Sequence, residues 1–285
     1  MKKRVKDLAY SLKLSKNKIT ELCSALTLNE KGFYRNWEEP KTDENGNPRY
    51  EKGILLTRPI SAPVKELKDI QTSILHKILY KIKLPDYFFG GLKGKDAVMN
   101  GRYHQGNKFF FLTDLKNFFP SVLSQSVEKA LRKEGFYPDV ARVITRLCTK
   151  ENGIPQGCPT SSFLASLVVY HSCGDLFKMY QKDGLKISVY VDDITISSPI
   201  DFKEKTQGIL NDLRERGLKI NFEKTKYCSK NPIVTGVQVK NNGIAPMSYT
   251  FDLSKNTTIS EASREGHSHR IAYIKKIAGN KKDII

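Results

Sequence analysis

The chain has 285 residues, 39% of them hydrophobic, which is enough to bury a core in one compact body with lobes. Lys and Arg number 48 against 30 Asp and Glu, and the formal net charge of +18 favours a polyanionic partner such as nucleic acid. No apolar run reaches the roughly 18 residues of a membrane span, and the lysine-rich start lacks an apolar h-region, so we predict no membrane helix and no signal peptide. The scattered cysteines predict free thiols in a reducing cytoplasm: Cys23, Cys148, Cys158, Cys173 and Cys228.

The N-terminal part predicts helices and a pair of strands. Residues 1–26 predict two short helices, with Ser15 or Asn17 capping the second. The polar segment EEPKTDENGNPRY carries an Asn-Gly turn signal at 45–46 and connects two strands, the second being GILLTRPI. Residues 65–82 predict an amphipathic helix, because apolar side chains recur on one face. These are Leu67, Ile70, Ile74, Ile78 and Ile82.

The next stretch predicts a loop, a strand and two helices. FFGGLKGKDAV is glycine-rich and basic, which suits a loop that contacts phosphate, and a helix is expected to start near Asp96. FFFLTDL (109–115) predicts a buried strand that ends in an acid. Two helices are predicted around 125–134 and 138–148, with Gly135 placed to end the first.

The second half predicts a hairpin between helices. NGIPQGCPTSS (152–162) predicts a loop that leads into a long helix, and KISVYVDDITIS (186–197) predicts a hairpin whose turn lies at the two aspartates. The remaining predicted elements are a helix and two strands, at about 203–216, 218–222 and 234–239. This order of strand, helices, hairpin, helix and strand predicts a mixed α+β body built on an antiparallel sheet.

Asp192 and Asp193 lie in an apolar, β-prone context, YVDDITI. The turns that hairpins favour are usually Asn-Gly or Asp-Gly, so Asp-Asp is a poor choice on geometric grounds. Two adjacent like charges in a partly apolar setting are costly unless a cation offsets them. A divalent cation would do so directly, and the alternative is an exposed acidic turn.

A third carboxylate, Asp114, ends the aromatic strand FFFLTDL. Together with Asp192 and Asp193 it would supply hard oxygen donors, which suit Mg²⁺, with Mn²⁺ as a possible substitute. Two Mg²⁺ ions about 4 Å apart can hold the attacking and leaving oxygens in phosphoryl transfer. For the three acids to meet, they need only to lie on adjacent strands of one sheet.

Ordered segments over roughly residues 50–240 resemble the bacterial retron reverse transcriptases and related defence-associated enzymes. In chain order they are RPISAPVKELKDIQ, NGRYHQGN, DLKNFFPSV, GIPQGCPTSS, YVDD, GLKINFEKTK and VTG. Two positions depart from the family pattern, because Val191 and Gly101 stand where alanine is usual. The chain after VTG is also short, which predicts a reduced thumb.

The resemblance implies a right-hand polymerase fold with fingers, a palm of antiparallel sheet and helices, and a short helical thumb. We expect N-terminal helices and fingers over 1–113, the palm over 114–240 with finger elements interleaved around 125–160, and the thumb over 241–285. The implied activity is RNA-directed DNA polymerase with two Mg²⁺ ions held by Asp114, Asp192 and Asp193. It would copy a structured non-coding RNA into DNA in an antiviral defence system.

The resemblance also assigns residues to the incoming nucleotide. Arg58 and Lys65 would contact the triphosphate, although solvation explains an exposed lysine equally well. Phe119 would exclude the 2′-hydroxyl of a ribonucleotide; its alternative role is a core aromatic. Two further assignments follow the same motifs. Gln156 and Gly157 would line the pocket, and Lys224, or Lys226 in its place, would protonate the leaving pyrophosphate or offset its charge.

The family-specific elements imply contacts to RNA and primer. Asn100 and His104 belong to the element NGRYHQGN, and His104 is expected to serve in folding or in RNA contact. The element VTG consists of Val234, Thr235 and Gly236, and this strand is expected to support the primer grip. The implied partners are RNA template, cDNA product, dNTPs and a possible effector protein, without a membrane. The rival hypotheses are a decayed RNA-binding scaffold, an RNA-templated RNA polymerase and a template-independent nucleotidyl transferase.

Overall fold

The computed structural model describes residues 4–28, 32–43, 47–230 and 232–279. Its helices are α1 (Val5–Leu12), α2 (Lys16–Thr27), α3 (Lys65–Lys77), α4 (Ala97–Tyr103), α5 (Phe118–Ser121), α6 (Ser124–Lys133), α7 (Pro138–Cys148), α8 (Ser161–Lys182), α9 (Thr206–Glu215), α10 (Ser248–Lys255) and α11 (Glu261–Gly279). Its strands are β1 (Tyr34–Pro40), β2 (Tyr50–Glu51), β3 (Ile54–Leu55), β4 (Thr57–Pro63), β5 (Phe109–Leu115), β6 (Lys186–Tyr190), β7 (Asp193–Ser198), β8 (Ile220–Cys228), β9 (Ile233–Val234), β10 (Val237–Lys240) and β11 (Gly243–Pro246). The mixture of helices and antiparallel strands confirms the predicted α+β class.

The chain divides into two compact units, and each combines two stretches of sequence. The first unit comprises Met1–Pro85 and Asn117–Ser172, and the second comprises Asp86–Lys116 and Cys173–Ile285. Each unit therefore contains residues far apart along the chain, as expected when elements of one lobe are inserted between elements of another.

The first unit is mainly helical, with α7 contacting α2, α3 and α6. The predicted apolar face of α3 is confirmed, since all of its members are buried: Leu67, Ile70, Ile74, Ile78 and Ile82. The helix itself ends at Lys77 rather than at residue 82, and a 3-10 turn, Leu79–Lys81, continues the buried face. At the N-terminus, Ser15 caps α2 by accepting a hydrogen bond from Lys18 N at 3.1 Å, which satisfies one of the free donors of the first turn.

The strands of the first unit are short. β1 and β4 form an antiparallel pair in which Tyr34 lies opposite Pro63, and β2 pairs with β3. The segment GILLTRPI was predicted as one strand, but it is divided between β3 and β4. Leu56, between them, belongs to neither strand. The predicted turn at 45–46 lies outside the described residues.

The second unit is built on an antiparallel sheet with strand order β6-β7-β5-β8, which confirms the predicted sheet. Its helix α4 contacts β6, β10 and α11. A second, three-stranded sheet has the strand order β11-β10-β9. Buried apolar side chains from α4, β5, α11 and this three-stranded sheet form one cluster: Val98, Phe110, Val234, Val237, Val239, Ile244 and Ile274. This cluster fixes α4 and the C-terminal elements against strand β5, which carries Asp114.

Two strand predictions of the second unit need correction. β8 extends over Ile220–Cys228, well beyond the predicted 218–222. The segment 234–239 is not one strand but the hairpin of β9 and β10, in which Val237 pairs with Val234. Thr235 and Gly236 form its two-residue turn with φ of 46° and 76°, the positive-φ geometry that tight hairpins favour.

No helix in the described part of the chain has the length and apolar character that crossing a bilayer requires. The five cysteines are all free thiols, as predicted, and Cys148, Cys158 and Cys173 are buried.

Candidate active site

The second unit brings Asp114, Asp192 and Asp193 together at one end of its sheet. Asp114 lies directly opposite Asp193 in the antiparallel pair of β5 and β7, a position in which Cβ atoms are about 4.5–5.5 Å apart. The backbone of Asp192 is joined to the same strand, since Leu115 N donates to Asp192 O at 2.9 Å. The meeting of these acids on adjacent strands is the arrangement that the sequence predicts.

The hairpin turn is displaced by one residue from its predicted place. Tyr190 pairs with Asp193, so the two turn residues are Val191 and Asp192, and Asp193 is the first residue of β7. Val191 has φ of 57°, which is a strained conformation for a β-branched residue. Such strain costs on the order of 1–3 kcal/mol and persists only where the surroundings impose it.

Burial and neighbouring charge act together on Asp193. Burial, followed by the repulsion of Asp192 and then of Asp114, raises the pKa of Asp193 to about 7, and Lys224 opposes this increase. Burial and mutual repulsion therefore both disfavour the charged form of the carboxylate at this position. A bound cation, which offsets the negative charge, is favoured under these conditions.

Strand β8 supplies the polar partners of Asp114. Lys224 Nζ lies 2.8 Å from Asp114 Oδ1, and Asn221 Nδ2 donates to Asp114 Oδ2 at 3.1 Å. A bulge makes both contacts possible: between the pairs Leu112↔Lys226 and Asp114↔Asn221, a longer segment of β8 lies opposite Thr113 alone. Bulges of this kind redirect side chains next to functional sites.

The lysine that reaches Asp114 is thus Lys224, whereas the alternative, Lys226, pairs with Leu112 further along β8. Asn221 is a residue of the site that was not predicted from the sequence, although it stands in the segment GLKINFEKTK. The signal that could have found it is the register of β8 against β5, which sequence alone does not give.

The donor set suits a divalent metal ion, because three carboxylates converge, and burial together with their mutual repulsion raises the pKa of Asp193. Within residues 4–28, 32–43, 47–230 and 232–279, however, no three acidic, histidine or cysteine side chains are arranged to hold one ion as they stand. Asp114 instead directs its two oxygens at Lys224 and Asn221. A metal ion at Asp114 would therefore compete with the Lys224 ammonium.

His104 lies against the hairpin of β6 and β7 and is fully buried. Its Nδ1 lies 2.6 Å from Ser197 Oγ on β7 and its Nε2 lies 2.7 Å from Ser188 Oγ on β6. Burial, with a smaller effect of Lys186, lowers the pKa of His104 to about 3, so the ring is neutral. The ring therefore joins the two strands of the hairpin, and the structure favours the predicted folding role over RNA contact.

The other family-specific residues form a second buried connection. Asn100 is 1% exposed, and its Nδ2 donates to Thr235 Oγ1 at 3.3 Å. Thr235 Oγ1 donates in turn to Ala97 O at 2.7 Å, which ties the β9–β10 turn to α4. Val234 is fully buried and Gly236 O accepts from Arg270 at 3.4 Å. The side chains of Asn100 and Val234 are buried, so the RNA or primer contact predicted for this element would have to be made by its backbone or by Thr235 and Gly236.

In the glycine-rich segment before α4, the ammonium of Lys95 has partners within the segment and its neighbours. Lys95 Nζ donates to Asp86 O at 2.6 Å and lies 5.0 Å from the centre of the Phe89 ring. Asp96 caps α4 by accepting from Val98 N and Met99 N, and this confirms the predicted helix start. The expected phosphate contact of this loop finds no support in Lys95, whose ammonium is already engaged.

Apart from Lys224, the residues assigned to the nucleotide lie in the first unit. The Gln156–Gly157 loop lies against β4, with Ser61 N donating to Gln156 O at 2.8 Å, and Arg58 stands on that same strand. Gly157 has φ of 108°, and a Cβ there would meet Ile60 Cγ2 at 3.0 Å, so glycine is required. Lys65 is 91% exposed and pairs with Asp69 at 3.3 Å, which agrees with the solvation alternative.

Phe119 belongs to the short helix α5. Its ring centre lies 5.7 Å from that of Phe118, and Phe118 is the buried member of the pair while Phe119 is partly exposed. The core position is thus filled by Phe118, which leaves the Phe119 ring accessible to a ligand.

Comparison with known proteins gives a consistent result. The family described as "Reverse transcriptase (RNA-dependent DNA polymerase)" matches residues 51–249. Retron Se72 reverse transcriptase of Salmonella heidelberg (strain 579083-10) is 37% identical over 199 residues, covering 64% of this chain and 51% of that protein. Retron Ec48 reverse transcriptase of Escherichia coli is 32% identical, covering 59% and 46%, and Retron Ec86 reverse transcriptase of Escherichia coli is 31% identical, covering 61% and 55%. The chain spans about half the length of these relatives.

Proposed function

The chain belongs to the reverse transcriptase family, its resemblance to the retron-type members is confirmed, and we propose that it is an RNA-directed DNA polymerase. The observation that carries the proposal is the position of Asp114 opposite Asp193, with Asp192 in the adjoining turn. The substrate would be a structured non-coding RNA, and the setting an antiviral defence system, both by analogy with the retron relatives.

In this proposal the sheet β6-β7-β5-β8 is the palm, and α10 and α11 belong to the thumb. The expected boundaries are 1–113 for N-terminal helices and fingers, 114–240 for the palm and 241–285 for the thumb. Support for the palm comes from the antiparallel sheet that carries the acids, which is the structural context that the motif YVDD requires.

The reaction is attack of a primer 3′-oxygen on the α-phosphorus of a dNTP. A bond forms between these two atoms, the bond from the α-phosphorus to the bridging oxygen breaks, and pyrophosphate leaves. Two bound Mg²⁺ ions, or Mn²⁺ as a substitute, would stabilise the charge on the attacking and leaving oxygens. Asp114, Asp192 and Asp193 would hold these ions.

The chain's own residues position the reactants. Asn221 holds one oxygen of Asp114, and Lys224, released from the other oxygen when a metal ion binds, would protonate the pyrophosphate or offset its charge. The proton of the 3′-hydroxyl passes to solvent. Arg58, Gln156 and Gly157 would contact the nucleotide, and Phe119 would exclude a 2′-hydroxyl.

The partners follow from charge and chemistry. A formal charge of +18 attracts the phosphates of template RNA and cDNA. Free thiols fit a reducing cytoplasm, and an effector protein would be a further partner. The hairpin of β9 and β10, rather than a single VTG strand, would support the primer.

The test is incorporation of labelled dNTPs by the purified protein with its co-purifying RNA and Mg²⁺. We expect a product that DNase degrades and RNase does not, and synthesis that stops when the RNA is removed beforehand. An RNase-sensitive product made from labelled rNTPs would indicate an RNA polymerase, synthesis without RNA would indicate a template-independent transferase, and no incorporation would indicate an RNA-binding scaffold. Sequencing the cDNA against the co-purified RNA identifies the template.

A further inference from the structure

The segment 87–90 extends the sheet β6-β7-β5-β8 at its β6 edge. Phe88 forms a parallel bridge with Val189, in which Phe89 N donates to Val189 O and Val189 N donates to Tyr87 O, both at 2.9 Å. The three aromatic side chains are buried, with Phe88 fully so. This segment is therefore fixed on the strand that leads directly into the acidic turn.

Gly90 follows this bridge and contacts the turn itself. A Cβ built on Gly90 would lie 2.4 Å from Val191 N, 2.6 Å from Val191 Cγ2 and 3.0 Å from Tyr190 C. Two of these atoms are backbone and cannot rotate away. Gly90 is not among the residues with positive φ, so its backbone conformation would accept alanine. Glycine is needed here because the turn occupies the space of a side chain.

The contact falls on the strained residue of the hairpin. Val191 holds φ of 57° against the preference of a β-branched side chain, and it directly precedes Asp192. We infer that Gly90 is a positioning residue for the acidic turn: its bare Cα packs against Val191 and Tyr190 and holds the conformation that presents Asp192 and Asp193. This inference rests on the proposed function for its catalytic consequence.

The experiment compares Gly90→Ala with Gly208→Ala. Gly208 is a matched control, because it lies in α9 of the same unit, has no positive φ and would place its Cβ with no atom within 4 Å. Both proteins are checked for folding by circular dichroism and thermal unfolding. Three quantities are then measured: kcat and KM for dNTP incorporation, and Mn²⁺ affinity by calorimetry without substrate.

We expect Gly90→Ala to lower kcat on the order of 10- to 100-fold, since a displacement of about 1 Å costs that much, with little change in KM. Mn²⁺ affinity should fall as well, while Gly208→Ala should match the wild type in all three quantities. Val191→Gly tests the same contact without adding atoms, and it should also lower kcat and Mn²⁺ affinity. That variant keeps the inference testable if Gly90→Ala does not fold.

The outcomes separate this inference from the proposed function. If the wild type incorporates dNTPs and both Gly90→Ala and Val191→Gly behave like Gly208→Ala, the positioning role is refuted and the polymerase assignment stands. If the wild type incorporates nothing but Gly90→Ala still weakens Mn²⁺ binding, the polymerase assignment fails and the positioning role stands.

Discussion

Lys224 shows how one side chain of the site can have two partners at different stages. In the chain alone its ammonium lies 2.8 Å from Asp114 Oδ1, where it offsets part of the charge of the acidic cluster. A metal ion held by Asp114 would take over that role, because a divalent cation interacts more strongly with a carboxylate than an ammonium does. The lysine would then be free for the leaving pyrophosphate.

We predict that Lys224→Gln binds Mn²⁺ more tightly than the wild type does, because the competing ammonium is gone, while its kcat falls. Calorimetry measures the first quantity and single-nucleotide extension the second. Lys226→Gln is the matched control on the same strand and should change neither strongly. Unchanged or weaker Mn²⁺ binding in Lys224→Gln would show that the lysine does not compete with the metal.

Phe119 is the residue on which sugar discrimination is expected to depend. Phe119→Ala removes the ring that we propose excludes a 2′-hydroxyl, so ribonucleotides should be incorporated with a much smaller penalty. The measurement is the ratio of kcat/KM for dCTP to that for CTP, with Phe118→Leu as a control for general disturbance of α5. A ratio that is the same in Phe119→Ala and the wild type contradicts this role.

Among the elements, the hairpin of β6 and β7 is supported by buried polar groups that its sequence pattern does not predict. Ser188 and Ser197 lie in strands of mainly apolar residues, yet both are fully buried. Each serine hydroxyl lies within hydrogen-bond distance of one ring nitrogen of His104. Buried polar groups of this kind rigidify a structure when every hydrogen bond is satisfied. The hairpin that presents the acids is thus held by His104 from one element and by Gly90 from another.

The pKa of His104 leads to a prediction about pH. The folded chain keeps the ring neutral down to about pH 3, whereas the unfolded chain binds a proton near pH 6.5. Between these values the unfolded state holds more protons, so the free energy of unfolding falls as the pH decreases, by about 1.4 kcal/mol per pH unit. His104→Gln lacks this contribution.

Urea unfolding at several pH values between about 4.5 and 7.5 measures the difference. The stability advantage of the wild type over His104→Gln should shrink steadily as the pH is lowered below about 6.5. Parallel stability curves for the two proteins would mean that His104 titrates alike in the folded and unfolded states.

The elements also show what sequence could and could not predict. The sequence patterns located α3, α6, α7 and α8 well, and the periodic apolar residues of α3 are buried. It missed the end of α3 at Lys77 and the hairpin at 234–237, since both depend on local φ values. The convergence of Asp114 and Asp193 followed from the motifs, but the contacts of Asn221 and Gly90 depend on register and tertiary packing.

For the whole molecule, net charge predicts how RNA binding responds to salt. Binding that neutralises about six phosphates of a single strand should lose affinity by a few hundredfold between roughly 50 and 200 mM salt, because the released counterions oppose rebinding. The slope of log Kd against log salt, measured with the co-purifying RNA, checks this. A flat slope would indicate that the excess of positive charge, formally +18, serves solubility rather than RNA recognition.

The proposed polymerase activity depends most directly on the three carboxylates, and single-nucleotide extension of an RNA-templated primer tests them. Asp114→Asn, Asp192→Asn and Asp193→Asn should each lower kcat by a factor on the order of 10³ or more, because the charge that holds the metal ions is lost. Asp183→Asn, at an exposed acid after α8, should extend the primer like the wild type. Extension at the wild-type rate by any folded variant of the first three would contradict the two-metal polymerase.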